Sequence, residues 1–374
     1  MIIGIEASRA NRREKTGVEW YSFHVIQEMK KLAGSEDHSW LLYTNEPLAM
    51  GLERGSAHWH ERRLTWPPKY LWTQVRLSYE MMTRPPEVLF VPAHVLPRII
   101  PKRTVVTIHD VGFDRLPSLY KPRQIAYHRA MTEDVVKRAS RIITVSEFSK
   151  QEIIELYHAD PARIFVTHLG IDHTRYKPMD ATVMERIMGR FRLANPYLLF
   201  IGRLEAKKNL LTVIDAFKRY KEMRGEGDPL QLVFAGIPGK DFQAIEDAYH
   251  ASGLGDAIRF LGYVSEEEKI ALLSGATALV HPAWYEGFGI PPLEAMACGA
   301  PVICSNAASL LEVVGEDNAL FFAPHDTDAL MQQIVRLMEE PDLAESLRAR
   351  GFAWVQQYDW HKTALQTLEL LTRW

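Results

Sequence analysis

Short β-branched and apolar runs alternate along the chain with longer stretches of helical period. MIIGIEAS, SWLLYTN, EVLFVPAHV, TVVTIHD, RIITVS and RIFVTHLG read as strands, and VEWYSFHVIQEMKKL between the first two reads as an amphipathic helix. The rhythm lapses at GIDHTRYKPMD (170 to 180), a polar segment with glycine and proline. It resumes with YLLFIGR, NLLTVIDAFKRYKEM, LQLVFAG, IRFLGYV, TALVHPA, PVICSN and ALFFAP. The lapse predicts a linker. Strand runs that stay apolar without alternation imply sheets covered on both faces. Each half is therefore expected to be a Rossmann-like, doubly wound parallel α/β domain, residues 1–174 and 175–374, with the cleft between them as the default site. From about residue 326 the pattern is helical only, through DALMQQIVRLMEE, DLAESLRARGFAWVQQ and WHKTALQTLELLTRW. This tail needs a surface to cover, on its own domain or, by crossing back, on the first.

Composition agrees with two cores: 374 residues, 47% hydrophobic and 24% charged. No run of about eighteen uncharged apolar residues occurs. MIIGIEASRA shows neither a basic leader nor a cleavage pattern, so a soluble, unprocessed, cytoplasmic protein is expected. Cys298 and Cys304 are the only cysteines, too few for a zinc ribbon or a disulfide framework, which fits a reducing compartment and buried filler roles. The net charge of −3 hides a positive first half and a negative second half. A positive half could suit anionic lipid or an acidic acceptor, but a spread-out excess of this size is more often ordinary solvation, which is the preferred reading; nucleic acid is not an expected partner.

The stretch WYEGFGIPPLEAMACGAPV (284 to 302) carries the first candidate chemistry. A residue before proline is pushed out of the helical region, so Ile290 is expected to be extended, with a helix starting at Pro291 or Pro292 and stopping at Gly299. Glu286 then sits in the preceding loop and Glu294 in the first helical turn. Gly287 and Gly289 let backbone approach a ligand, and the helix start favours an anion such as phosphate. A carboxylate beside phosphate would repel it, so Glu294 suits a pair of neutral hydroxyls, as on a ribose, and Glu286 the hydroxyls of a sugar. The plainer alternative has Glu294 complementing the helix dipole and Glu286 solvated. GFGIPP lacks the third glycine and the strand–helix setting of a dinucleotide fingerprint, as does MIIGIEASRANRREKTG.

A second stretch, LLFIGRLEAKKNLLTVIDAF, ends a strand near Arg203 and opens a helix with Asn209 as its N-cap. Lys207 and Lys208 thus fall at the positive end of a helix, which costs about 0.3–1 kcal/mol each unless something compensates. A diphosphate would compensate, with Arg203 gripping bidentately and Lys208 adding a point charge; solvent exposure is the alternative. His109 closes TVVTIHD, where open α/β sheets bind ligands, although a lone histidine on an apolar strand is also a common core residue. DTD (326 to 328) reads as a helix cap rather than a metal pair. HWH puts His58 and His60 on one strand face without a third ligand, so no metal is expected. WHERRLTWPPKYLWTQVRLSYEMMTR mixes tryptophans with cationic residues, as bilayer-surface segments do and as helices packed on a sheet also do; the latter is the preferred reading.

GRLEAKKN (202 to 209) followed by EGFGIPPLEAMACGAPV (286 to 302), with TIHD, VSEFSKQE, HLGID and FLGYVSEEEK in order, resembles the retaining glycosyltransferases of family 4, and does so over nearly the whole chain. The resemblance implies the GT-B fold of two facing Rossmann-like domains. It also implies that Glu286 meets the donor sugar, Glu294 the nucleotide ribose, and Arg203 with Lys208 the diphosphate. Gly287, Phe288 and Gly289 would meet sugar and phosphate, Val264 the base, and His109 the donor sugar. Gly17 in KTGVEWY would approach the donor phosphate, at a place where related chains often carry two glycines and this one has Thr16. Asp110 would orient His109 or simply begin the next loop. The implied reaction moves a sugar from a nucleotide diphosphate to a hydroxyl of a glycan or lipid-linked acceptor, by front-face attack with retention, needing neither metal nor a cofactor beyond the nucleotide-sugar substrate.

TIHD, PAHVLP and VSEFSK are similar to segments of bacterial transferases of surface polysaccharide synthesis, which makes GDP-mannose the expected donor and a UDP-sugar the alternative. A non-catalytic nucleotide-sugar sensor is disfavoured by the intact cation pair and glutamates. A phosphorylase or epimerase is disfavoured by the lack of any cue for pyridoxal phosphate. Acceptor, linkage and oligomeric state are set by features no motif reports, and contact with the inner face of a membrane stays open.

Overall fold

The computed structural model describes residues 1–68, 70–193, 196–225 and 227–374. The chain forms two compact units, Met1–Gly170 together with Tyr358–Trp374, and Ile171–Gln357. Of the two surfaces open to the tail, its last helix, Trp360–Thr372, thus belongs to the first unit.

The first unit is built on strands β1 (Ile2–Glu6), β2 (Ser39–Thr44), β3 (Trp59–Arg63), β4 (Val88–Val91), β5 (Arg103–Thr107), β6 (Arg141–Thr144) and β7 (Ile164–Val166), in the order β3-β2-β1-β4-β5-β6-β7. Every pairing is parallel, with β1 held between β2 and β4 through Ile3↔Trp40 and Ile3↔Val88. Ile3, Ile5, Val88, Leu89, Phe90, Val105 and Val106 are buried regardless of the face they point to, as a sheet covered on both sides requires. β3 is polar apart from Trp59 and lies at the edge, where half-exposure suits it.

The second unit repeats the plan with β8 (Tyr197–Ile201), β9 (Gln231–Ala235), β10 (Ile258–Gly262), β11 (Ala278–His281), β12 (Val302–Ser305) and β13 (Leu320–Phe322), in the order β10-β9-β8-β11-β12-β13, again all parallel. Its core gathers Leu198, Phe200, Phe217, Phe234 and Val280 from sheet and helix. In each unit the strand order reverses once, between β1 and β4 and between β8 and β11. Loops leaving the carboxyl ends of such a pair diverge and open a crevice, which is where open α/β sheets take ligands.

Candidate active site

The crevice of the second unit is furnished by two loops. After β8 the chain turns through a short 3-10 segment, Ala206–Lys208, into the helix Leu210–Arg224. After β11 it passes through residues 282 to 289 into the helix Ile290–Ala297. Trp284 N–H donates to the Lys207 carbonyl (3.3 Å), tying one loop to the other. Lys208 Nζ donates to Glu286 Oε1 at 2.5 Å, with side chains only 18% and 14% exposed. Lys208 at this helix start, where a diphosphate is the expected compensation and solvent exposure the alternative, is mostly buried and paired with Glu286. Burial pushes the Glu286 carboxyl up, yet the Lys208 ammonium, the His281 hydrogen bond and Lys207 outweigh it, holding the group well below the usual carboxylate range.

Asn209 occupies the N-cap position expected for it but works differently: in left-handed conformation, it turns its amide inward to donate to the carbonyls of Pro282 (3.1 Å) and Pro324 (2.6 Å). Arg203 is exposed, its stem so close to the backbone beside it that a Cβ at Gly239 would lie 2.7 Å from Arg203 Cγ. The fold pairs Lys208, not Arg203, with Glu286.

Gly289, at φ 100° and ψ 65°, supplies the turn into the next helix, and an added Cβ there would stand 2.6 Å from Leu310 Cδ2. The expected extended Ile290 is corrected: glycine makes the non-helical entry, so Ile290, Pro291 and Pro292 form the first turn, where the prolines' missing N–H groups break no hydrogen bond. Glu294 consequently lies in the second turn rather than the first, which removes the helix dipole as its reason for being there. Gly299 ends the helix with φ 81°, as the sequence predicts. Phe288 is 4% exposed. Ser309 Oγ lies 2.9 Å from the Glu286 carbonyl and 3.0 Å from that of Phe288, pinning the bend from below.

Glu294 is buried and accepts from Lys269 Nζ at 2.9 Å. Lys269 also meets Glu266 (3.3 Å) and lies 4.9 Å from the Tyr176 ring centroid, while Tyr176 Oη donates to Glu266 Oε2 at 2.5 Å. Although burial opposes its charge, the two carboxylates hold the Lys269 ammonium above its ordinary range. Val264 is half-buried, just before the Ser265 cap of the helix Glu266–Gly275. A pocket of about 550 Å³ adjoins this network, lined by residues that include Arg175, Lys177, Asp180, Glu266 and Glu267.

In the first unit, Gly17 opens the helix Gly17–Met29, and a Cβ there would meet nothing within 4 Å. Thr16 turns its hydroxyl and N–H to Glu19 Oε2, and Arg9 and Arg12 reach Glu19 Oε1 at 3.2 Å each. Burial raises the Glu19 carboxyl, but Thr16 and Arg9 bring it below its ordinary value. His109 is 9% exposed, with Nε2 3.1 Å from the Pro92 carbonyl and its ring edge-on to Tyr21 at 4.7 Å. Burial lowers its pKa, so it is a neutral imidazole donating from Nε2 and keeping Nδ1 as acceptor. Asp110 accepts from Gly112 N–H (2.9 Å), so its carboxylate shapes the following loop.

Two family models match the chain, Glycosyltransferase Family 4 over residues 17–175 and Glycosyl transferases group 1 over residues 186–354. Over 268 residues the sequence is 33% identical to the O-antigen chain mannosyltransferase B of Escherichia coli, covering 71% of this chain and 69% of that one. The protein belongs to glycosyltransferase family 4. This glycosyltransferase shares its fold with sucrose-phosphate synthase from Thermosynechococcus elongatus (TM-score 0.78, 20% identity, 99% of this chain and 98% of that one). It also shares it with Anabaena HepE in complex with UDP and glucose (TM-score 0.75, 17% identity, 100% and 99%). The two parallel-sheet units are those of the GT-B fold.

Three residues of the glycosyltransferase escape a motif-based reading: His281, Lys269 and Ser309. His281 ends a strand whose apolar run hides it. Lys269 sits in a charged helix face, SEEEK, where one more cation carries no signal. Ser309 follows Ala308, a non-glycine residue with φ 54°, a conformation no pattern announces. The remaining motifs have structural work: Asp326 caps the helix Thr327–Glu339 by accepting from Ala329 N–H, and Asp328 pairs with Arg219. Cys298 and Cys304 are buried, and burial pushes the Cys298 thiol up to about 12.

Proposed function

We propose that this glycosyltransferase moves mannose from GDP-mannose, with retained anomeric configuration, to a hydroxyl of a glycan or lipid-linked acceptor in surface polysaccharide synthesis. The Lys208–Glu286 pair at the switch point of the second unit carries the reading: an ionised carboxylate for sugar hydroxyls and a cation for phosphate, set side by side. The choice of mannose rests on the likeness to the O-antigen mannosyltransferase. In the reaction, the bond between the anomeric carbon and the diphosphate oxygen breaks as the acceptor oxygen bonds on the same face, and the departing phosphate oxygen takes the acceptor proton. Arg203 and Lys208 stabilise the charge left on the diphosphate, Glu286 and the Gly287–Gly289 backbone hold the sugar, Glu294 binds the ribose and Val264 flanks the base. Gly17 and neutral His109 serve the phosphate and the sugar from the first unit. No metal and no separate cofactor enter this scheme.

Purified protein offered a panel of nucleotide sugars tests it. Release of GDP from GDP-mannose, abolished in Glu286→Gln, is the expected result; release from a UDP-sugar alone shifts the donor, and no release from any donor refutes transfer.

A second observation favours work at a membrane surface. The tryptophans of the 59–84 segment turn inward: Trp59 stacks on Trp40 (4.5 Å, 2°) and Trp72 donates to the Leu64 carbonyl. What the segment leaves outside is a set of apolar side chains three or four positions apart, Leu71, Val75, Tyr79 and Met82, respectively 63%, 42%, 56% and 57% exposed. Arg84 and Arg98 are exposed beside it, Arg98 N–H donating to Ser78 Oγ. Among the described residues no helix is long and apolar enough to cross a membrane, so attachment is at the surface. Co-flotation with anionic liposomes, reduced by Leu71→Asp with Tyr79→Asp, is expected; absence of flotation rejects attachment.

A further inference from the structure

One side chain in contact with Glu286 has no part in the scheme above. His281 is the last residue of β11, 1% exposed, with Nε2 3.2 Å from Glu286 Oε1. Its Nδ1 is buried and has no hydrogen-bond partner among the described residues. Since a carboxylate oxygen only accepts, the proton of a neutral ring must sit on Nε2, and the bare Nδ1 agrees. Lys208 Nζ donates to the same oxygen. Two donors of different kinds therefore converge on Oε1, and Oε2 of Glu286 has no partner among the described residues.

A glutamate on a glycine-flanked bend has rotamers to lose, and a single flexible lysine does not fix which oxygen faces outward. A buried ring at the end of a central strand does, because its position is set by the sheet. We infer that His281 is a positioning residue: its Nε2–H and Lys208 Nζ clamp Glu286 Oε1, so that Oε2 is the oxygen presented to hydroxyls of the transferred sugar. Ser309 fixes the same residue through its backbone carbonyl, leaving the side chain to the histidine. The inference rests on the transfer reading above and adds a residue to it.

The test compares His281→Phe, which keeps a ring but has no donor, with His281→Gln, whose amide NH₂ reaches about as far as Nε2. Donor turnover, nucleotide diphosphate affinity and circular dichroism are measured for each. A hydrogen bond to a charged group contributes about 1.5 kcal/mol, or roughly tenfold in rate. His281→Phe is expected to lower kcat about that much while the Kd for GDP stays within about twofold; His281→Gln is expected to recover most of the rate. Wild-type turnover in the Phe variant, or equal loss in both, overturns the inference. Nitrogen-15 NMR of the histidines in wild-type protein needs no stable variant: the ring must be the Nε2–H tautomer at neutral pH, and an Nδ1–H tautomer overturns the clamp. The two readings fail separately. If wild-type protein releases no nucleotide diphosphate from any donor, transfer fails and the tautomer alone decides the clamp; if release is Glu286-dependent yet indifferent to His281, only the clamp fails.

Discussion

Lys208 Nζ and Glu286 Oε1 stand 2.5 Å apart although 78 positions separate them, because the strands that deliver them, β8 and β11, are neighbours in the sheet. Each comes off the carboxyl end of its strand, and the crevice lies where the two loops part. The pair is mostly buried, so its attraction is weakly screened, and removing one partner strands the other.

Lys208→Ala and Arg203→Ala should therefore differ in kind. The first leaves Glu286 with only His281 and is expected to lower stability by roughly 2–3 kcal/mol, below the usual cost of breaking a fully buried pair because some solvent reaches both groups. Turnover should fall at least about a hundredfold. Arg203 is exposed and forms no ion pair among the described residues, so Arg203→Ala should unfold within about 0.5 kcal/mol of wild type while still losing turnover. Denaturant melts beside donor hydrolysis separate the two; a stability loss in Arg203→Ala would contradict the assignment.

The bend at Gly289 makes a sharper steric prediction. Alanine there meets Leu310 Cδ2 at 2.6 Å in a backbone conformation that side chains resist, so Gly289→Ala is expected to cost about 1–3 kcal/mol and to disturb donor binding with it. Gly189→Ala is the control. It lies inside the helix Ala181–Phe191 with nothing within 4 Å of an added Cβ and should gain up to about 1 kcal/mol. Equal melting temperatures for the two variants would reject the argument.

Why so much of this was legible in advance, and why some was not, follows from which interactions are local. Buried parallel strands must be apolar on both faces, so Leu198–Ile201 and Val88–Val91 announce themselves, and with them the doubly wound units. Glu286, Gly289 and Gly299 are visible because a tight turn and a helix end need glycine at fixed offsets. The local rule for residues before proline puts the start of the Ile290–Ala297 helix one or two residues late, because Gly289 takes the irregular conformation in place of Ile290. Lys269 and Glu294 meet across two helices 25 positions apart, which no local pattern carries, and His281, only five positions before Glu286, is masked by the apolar strand it ends.

Acid should destabilise the protein from the histidine range downward. Burial, then the nearby charges of His109 and His128, lower His94 to about 4, and burial also lowers His109 and His281. These rings are neutral when folded, and below about pH 6.5 the unfolded chain binds protons that the folded one refuses. Their contribution is thus complete above that pH and is lost as pH falls toward the folded values. Glu286 acts in the same sense at lower pH, while Glu6, whose carboxyl burial raises, acts oppositely. Melting temperature is expected to drop between pH 7.5 and 5, and His94→Gln to shrink that drop by an amount worth about 1–2 kcal/mol; an unchanged gap would remove His94 from the account.

The closing helix offers the last test, because one glycine seats it. A Cβ on Gly170 would lie 2.1 Å from Trp360 N and 2.4 Å from Asp359 C, backbone atoms that have nowhere to retreat. From Trp360 onward the helix is fastened to the first unit at several points. The Trp360 ring stacks on His24 at 4.9 Å, and Thr363 Oγ1 donates to the His168 carbonyl at 2.7 Å. Arg141 donates to the Leu370 carbonyl at 2.6 Å and lies 4.2 Å from the Trp374 ring centroid. Gly170→Ala must push this start outward and is expected to cost about 3 kcal/mol, with faster hydrogen exchange confined at first to residues 360–372. Proteolysis should then cut near residues 356–359 in the variant and not in wild type. If Gly170→Ala melts within about 1 °C of wild type with the helix still protected, the packing of Gly170 beneath Trp360 is not what holds the C-terminal helix in place.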